Sequence, residues 1–101
     1  MKTPALCTSL DEIRSHIDTI DRSIVVLIAE RAGFVMQAAR FKRTTDDVKA
    51  PPRVEQVISK VRALSQEVGV NPEIAEATYR AMISAFINAG LAQHATLAPN
   101  D

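Results

Sequence analysis

From Leu10 onward, apolar or small side chains recur at alternating spacings of three and four: Leu10, Ile13, Ile17, Ile20, Ile24 and Leu27, then Phe34, Ala38 and Phe41. That period puts one apolar stripe along one side of an α-helix, and a stripe sustained over about four heptads specifies a helix packed along its length against other helices. Ser9 with Glu12 supplies a capping-box start. The segment TTDD and the following APP mark a stop. About 35 residues at roughly 1.5 Å each make a rod on the order of 50 Å. A compact monomer of about 100 residues spans only about 33 Å, from a radius of gyration near ~13 Å. The rest of the chain cannot cover the whole stripe, so the pattern predicts that a second copy does, in an interlocked homodimer.

The remaining segments carry helical patterns as well. A helix is predicted from about Pro52 to Val68, opened by proline, closed by Gly69 and amphipathic through Val54, Val57, Ile58, Val61, Leu64, Ser65 and Val68. Asn71 is a good N-cap, Pro72 suits the first helical position, and the run to about His94 is apolar on more than one face. That helix is expected to sit in the middle. With no strand-like alternation and no internal repeat, the expectation is an all-α, three-helix protomer forming one domain over residues 1–101, its core about 9–95 and its tail ATLAPND frayed.

Composition narrows function by exclusion. Twelve basic residues balance twelve acidic ones, which argues against a surface built for nucleic-acid phosphates or anionic lipid. No apolar run approaches the length needed to cross a bilayer and the N-terminus lacks an apolar signal-like core, so a cytoplasmic location is expected. Cys7 is the single cysteine, and without a CxxC pattern or a His/Cys cluster no metal site and no cofactor is expected. Neither His16 nor His94 has a partner at ligand or acid–base spacing, and neither is assigned a role.

Some charges break the apolar pattern. Position 31 falls on the stripe, yet it is arginine. Arg31 and Lys42 are eleven residues apart, which on one continuous helix leaves them about 20° apart around the axis and roughly 16 Å apart along it. Two long cations on one face suit a small dianion between them. Arg14 lies seventeen residues before Arg31, some 25 Å away on the same helix, so it joins such a site only from an antiparallel partner helix. Arg53, in the first turn of the second helix, faces the positive end of the helix dipole, a hint of a nearby anion. The ligand implied is small and carries at least two carboxylates or phosphates, which guanidinium forks bind in bidentate fashion.

Each cation also has a plainer reading. Arg31 can pair with a glutamate of a partner chain. Lys42, beside Arg40 and Arg43, can be one of several solvated cations at a helix C-terminus. Arg14 can pair with Asp18 one turn on, and Arg53 with a neighbouring acid.

The combination of LDEIRSHIDTID, LIAERAGFVMQAARFK and APPRVEQVI, with its arginine, arginine and lysine spacing and an apolar third helix, resembles the all-helical chorismate mutase family with its type II fold, including its close relative isochorismate-pyruvate lyase. The likeness covers about residues 9–95. It implies an intertwined dimer in which Arg31, Lys42 and Arg53 come from one chain and Arg14 from the other. Arg14 and Arg31 would bind the two substrate carboxylates, Lys42 would reach a carboxylate and the ether oxygen, and Arg53 would support the site. The implied reactions are rearrangement of chorismate to prephenate, or loss of pyruvate from isochorismate to leave salicylate. Neither uses a nucleophile, metal or cofactor; catalysis rests on positioning and electrostatics.

The departures from the family pattern are specific. Mutases of this family commonly carry an acid a few residues before the arginine that opens the second helix and a glutamate after it, where this chain has Ala50 and Val54, a lyase-like feature. A glutamine late in the third helix usually donates to the ether oxygen; Gly90 stands there, with Gln93 nearly one turn on. The first expectation is a chorismate mutase, the second an isochorismate-pyruvate lyase, and the third a non-catalytic helical dimer that binds a small dicarboxylate.

Overall fold

The computed structural model describes residues 6–97, with side chains to Ala95. Every regular element among them is helical: α1 (Leu10–Ala38), a 3-10 turn (Ala39–Phe41), α2 (Thr45–Lys49), α3 (Pro51–Val68) and α4 (Pro72–Leu97). Three long helices, the first the longest, match the expected all-α protomer. The chain divides into two compact units, residues 1–35 and 36–101.

The start of α1 is a variation on the capping box. Ser9 Oγ accepts the Glu12 N–H at 3.1 Å, but the Glu12 carboxylate reaches one residue further back, accepting from the Thr8 N–H and hydroxyl at 3.1 and 3.0 Å. At its other end α1 is shorter than the pattern suggests. It has 29 residues, or about 44 Å at roughly 1.5 Å each, and after the 3-10 turn Lys42 is extended at φ −93°, ψ 122°.

The reason lies in TTDD, which begins a helix rather than only ending one. Thr44 caps α2: its hydroxyl accepts the Asp47 N–H at 3.1 Å, while the Asp47 carboxylate accepts the N–H groups of Thr44 and Arg43 at 3.2 and 3.0 Å. These bonds satisfy amide donors that a continued helix would hold differently. Ala50 then serves both as the end of α2 and as the cap of α3, in the left-handed region at φ 39°, ψ 58°. For a residue with a Cβ that conformation costs about 1–2 kcal/mol.

Within residues 36–101, α4 packs against both α3 and α2. Ile58 and Ile83 are buried, and so is Ser65, whose hydroxyl donates to the Val61 carbonyl at 2.7 Å. Gly69 closes α3 at φ 84°, a conformation open to glycine at little cost, and Asn71 Oδ1 accepts the Glu73 N–H at 3.0 Å to open α4. Four ion pairs, Arg62–Glu73, Arg62–Glu76, Arg80–Glu55 and Arg80–Glu76, tie α3 to α4 and α4 to itself. Of the tail expected to fray, residues 95–97 continue α4 and residues 98–101 lie outside the described set.

Residues 1–35 present the opposite condition. Every side chain from Leu10 to Glu30 is exposed, including the stripe residues Ile17 at 49% and Leu27 at 61% of full exposure. No described helix is long and apolar enough to cross a membrane.

Candidate active site

The turn between α1 and α3 is built by capping chemistry, and it sets the position of Lys42. Once Asp47 folds its carboxylate onto the amides of Arg43 and Thr44, its own carbonyl lies 2.9 Å from the Lys42 ammonium, which donates to it. Those amides, Arg43's first, hold the Asp47 carboxyl below the usual aspartate range. Lys42 is half-buried in an open depression of about 630 Å³, lined also by Ala38, Phe41, Asp46, Asp47 and the Ala50–Pro52 corner. Arg40 stacks over the Phe41 ring at 5.6 Å, a cation–π contact on an exposed aromatic.

The depression thus has two carboxylates beside one ammonium. Asp47 spends its charge on backbone amides, so Lys42 keeps unspent donor capacity: an ammonium has three N–H bonds. Arg53 follows Pro52 in the first turn of α3, as expected, and its Nη1 donates to Gln56 Oε1 at 2.6 Å. No acid pairs with Arg53 among the described residues.

The remaining two cations lie on α1. Arg31 is half-buried and Arg14 exposed, and seventeen residues of helix keep them roughly 25 Å apart. One chain does not bring them together. Arg14 makes no ion pair among the described residues, so the plainer pairing with Asp18 is not formed. Because the α-helix ends at Ala38, the angular relation between Arg31 and Lys42 drawn for one continuous helix does not apply; Lys42 sits beyond that helix, on extended backbone.

Gly90 has a structural role that the sequence did not disclose. A Cβ on it would meet Val48 Cγ1 at 3.2 Å, so α2 rests against α4 where the family pattern carries a glutamine. Gln93 is exposed three residues further on. Val54 is half-buried on α3.

Sequence reasoning also missed two groups. Arg62, Arg80, Glu55, Glu73 and Glu76 form the α3–α4 ion-pair network, of which only the Glu76–Arg80 pair, at i and i+4, has a local signature. Arg80, before Arg62, holds Glu76 below the ordinary glutamate range, and Arg80 does the same for Glu55. Second, Cys7, Glu12 and His16 bring their donor atoms within 4.8 Å of one another, which corrects the reading of His16 as partnerless and Cys7 as isolated. Glu12 and His16 stand one turn apart on α1, a spacing visible in the sequence, while the bend at Thr8 and Ser9 that brings Cys7 to them is not.

The all-α fold, the long first helix and the proline corner beside a half-buried lysine agree with a comparison against known families, in which the model of chorismate mutase type II matches residues 13–90. The chain belongs to the chorismate mutase type II family. The isochorismate pyruvate lyase of Pseudomonas aeruginosa is 34% identical over 87 residues, covering 86% of this chain and 86% of that protein. This member of the family is accordingly an enzyme of chorismate mutase type, acting on a small chorismate-like substrate.

Proposed function

We propose that this chorismate mutase family member is an isochorismate-pyruvate lyase, working as an interlocked homodimer in which Arg14 reaches each site from the second copy. The observation that carries the reading is Lys42: half-buried in the lining of a depression of about 630 Å³, with one hydrogen bond to a backbone carbonyl and the donor capacity of an ammonium for more. That volume is within the range of small-molecule sites, about 300–1,000 Å³. The order of the two expected activities is reversed here because the similar lyase runs along most of both chains, and because Ala50 and Val54 lack the acids of the mutase pattern.

In this reading Arg14 and Arg31 hold the two carboxylates, Arg53 supports one end, and Lys42 faces the ether oxygen. As the C–O bond breaks, negative charge gathers on that oxygen, and a fixed ammonium stabilises it more than it stabilises the ground state. The bare apolar stripe of α1 supports the dimer: leaving Ile17, Ile20, Ile24 and Leu27 in water forfeits about 1.5–3 kcal/mol for each side chain that a partner would bury.

Chorismate mutase is the second reading, favoured by the family match over residues 13–90. Incubating the purified protein separately with isochorismate and with chorismate, and following salicylate and prephenate, tests both. Salicylate formation at the higher kcat/KM supports the lyase; prephenate alone replaces it with the mutase. If neither product forms while chorismate raises the melting temperature, the protein is a dicarboxylate-binding dimer and the catalytic reading fails.

A further inference from the structure

Just before α1 the chain bends at Thr8 and Ser9. Thr8 gives both its N–H and its hydroxyl to one oxygen of Glu12, Oε2, and Cys7, next to it, lies beside the first turns of the helix. His16 stands one turn beyond Glu12, on the same face. The thiol sulfur, a carboxylate oxygen and an imidazole nitrogen all lie within 4.8 Å of one another. We infer that Cys7, Glu12 and His16 form a three-ligand site for a divalent cation of the zinc class, with water completing the coordination.

The donor set decides the class of ion. Thiolate and imidazole favour zinc or cobalt over magnesium or calcium, which prefer oxygen shells. Metal–donor distances of about 2.0–2.3 Å place tetrahedral ligands about 3.5 Å apart, so the three side chains need to close by roughly 1 Å. His16 is exposed and its imidazole has room to turn inward, while the Thr8 bonds hold one oxygen of the Glu12 carboxylate and leave the other to a ligand, and Cys7 is half-buried beside them. Thr8 acts as an outer partner: its two hydrogen bonds orient the carboxylate, as second-shell donors do for metal ligands. A bound ion would clip the segment before Ser9 onto α1.

The test uses the untagged full-length protein, reduced and metal-free, titrated with cobalt(II) and followed by absorption. One cobalt per chain with a thiolate charge-transfer band is expected, displaced by zinc. Cys7→Ser should abolish the band, and His16→Gln and Glu12→Gln should each weaken binding at least tenfold, with circular dichroism confirming unchanged helix content. Absence of the band overturns the inference. So does a band that survives Cys7→Ser, affinity unaltered by His16→Gln, or one cobalt per two chains, which would mean thiolates paired between molecules. None of these readouts depends on catalytic activity.

Discussion

The two units of this chain carry amphipathic helices of similar pattern in opposite circumstances. In residues 36–101, the apolar face of α3 is closed by α4: Ile58 and Ile83 are buried and the Arg62 and Arg80 ion pairs latch the outside. In residues 1–35 the stripe on α1 is equally regular, yet its isoleucines lie in water. A hydrophobic period therefore tells which face wants burial and leaves open which chain supplies the cover. Where a helix outruns the chain available to it, the missing cover becomes an assembly argument.

Five experiments break or sharpen that contrast, and the largest effect is expected on the bare stripe. Ile17→Asp puts a charge in the proposed dimer seam; light scattering should show a monomer and product formation should vanish, whereas an unchanged oligomer would mean the stripe is not the interface. Next, Lys42→Ala should lower turnover at least a hundredfold, about 3 kcal/mol of transition-state stabilisation, with oligomer and melting temperature unchanged. That separates chemistry from packing. In the closed unit, Ile58→Ala should cost about 2–5 kcal/mol in urea unfolding, and a loss below ~1 kcal/mol would show the α3–α4 core to be looser than its burial implies.

A smaller effect concerns acid. Glu55 and Glu76 titrate below the ordinary value of 4.5 because Arg80 holds them. A lowered folded-state pKa adds stability that is fully present above the unfolded value and is lost as pH falls through the folded one. Unfolding followed from about pH 6 to about pH 3 should therefore show the loss setting in below about 4.5, and Glu55→Gln should flatten it. The smallest change is expected for Gly90→Ala: about 1 kcal/mol gained in helix propensity is set against crowding at Val48 Cγ1, 3.2 Å away, leaving a net shift under ~1 kcal/mol by the same measure.

Much of the fold was legible because local chemistry and hydrophobic period agreed. Asn71–Pro72 and Gly69 marked real helix ends, and the apolar surface of α4 meets both α3 and α2. The end of α1 was not legible, since Thr and Asp residues signal both stop and start, and only the bonds formed around Asp47 decide between them. Of the four cations singled out, Lys42 lines the depression and Arg53 opens α3 where the proline signal put it, whereas the face shared by Arg31 and Lys42 was lost with the end of α1, and Arg14 and Arg31 are too far apart along one helix to meet. The Cys7–Glu12–His16 group escaped notice because, although Glu12 and His16 stand one helical turn apart, Cys7 joins them only through the bend of the backbone at Thr8 and Ser9.

The contact between Gly90 and Val48 has an evolutionary consequence. A lineage that gained a side chain at position 90 while α2 kept its valine would have to displace the Val48 methyl by a few tenths of an ångström, and one that first trimmed position 48 would not. The two positions are thus coupled, and the cost of introducing an ether-oxygen donor at position 90 depends on what stands at position 48.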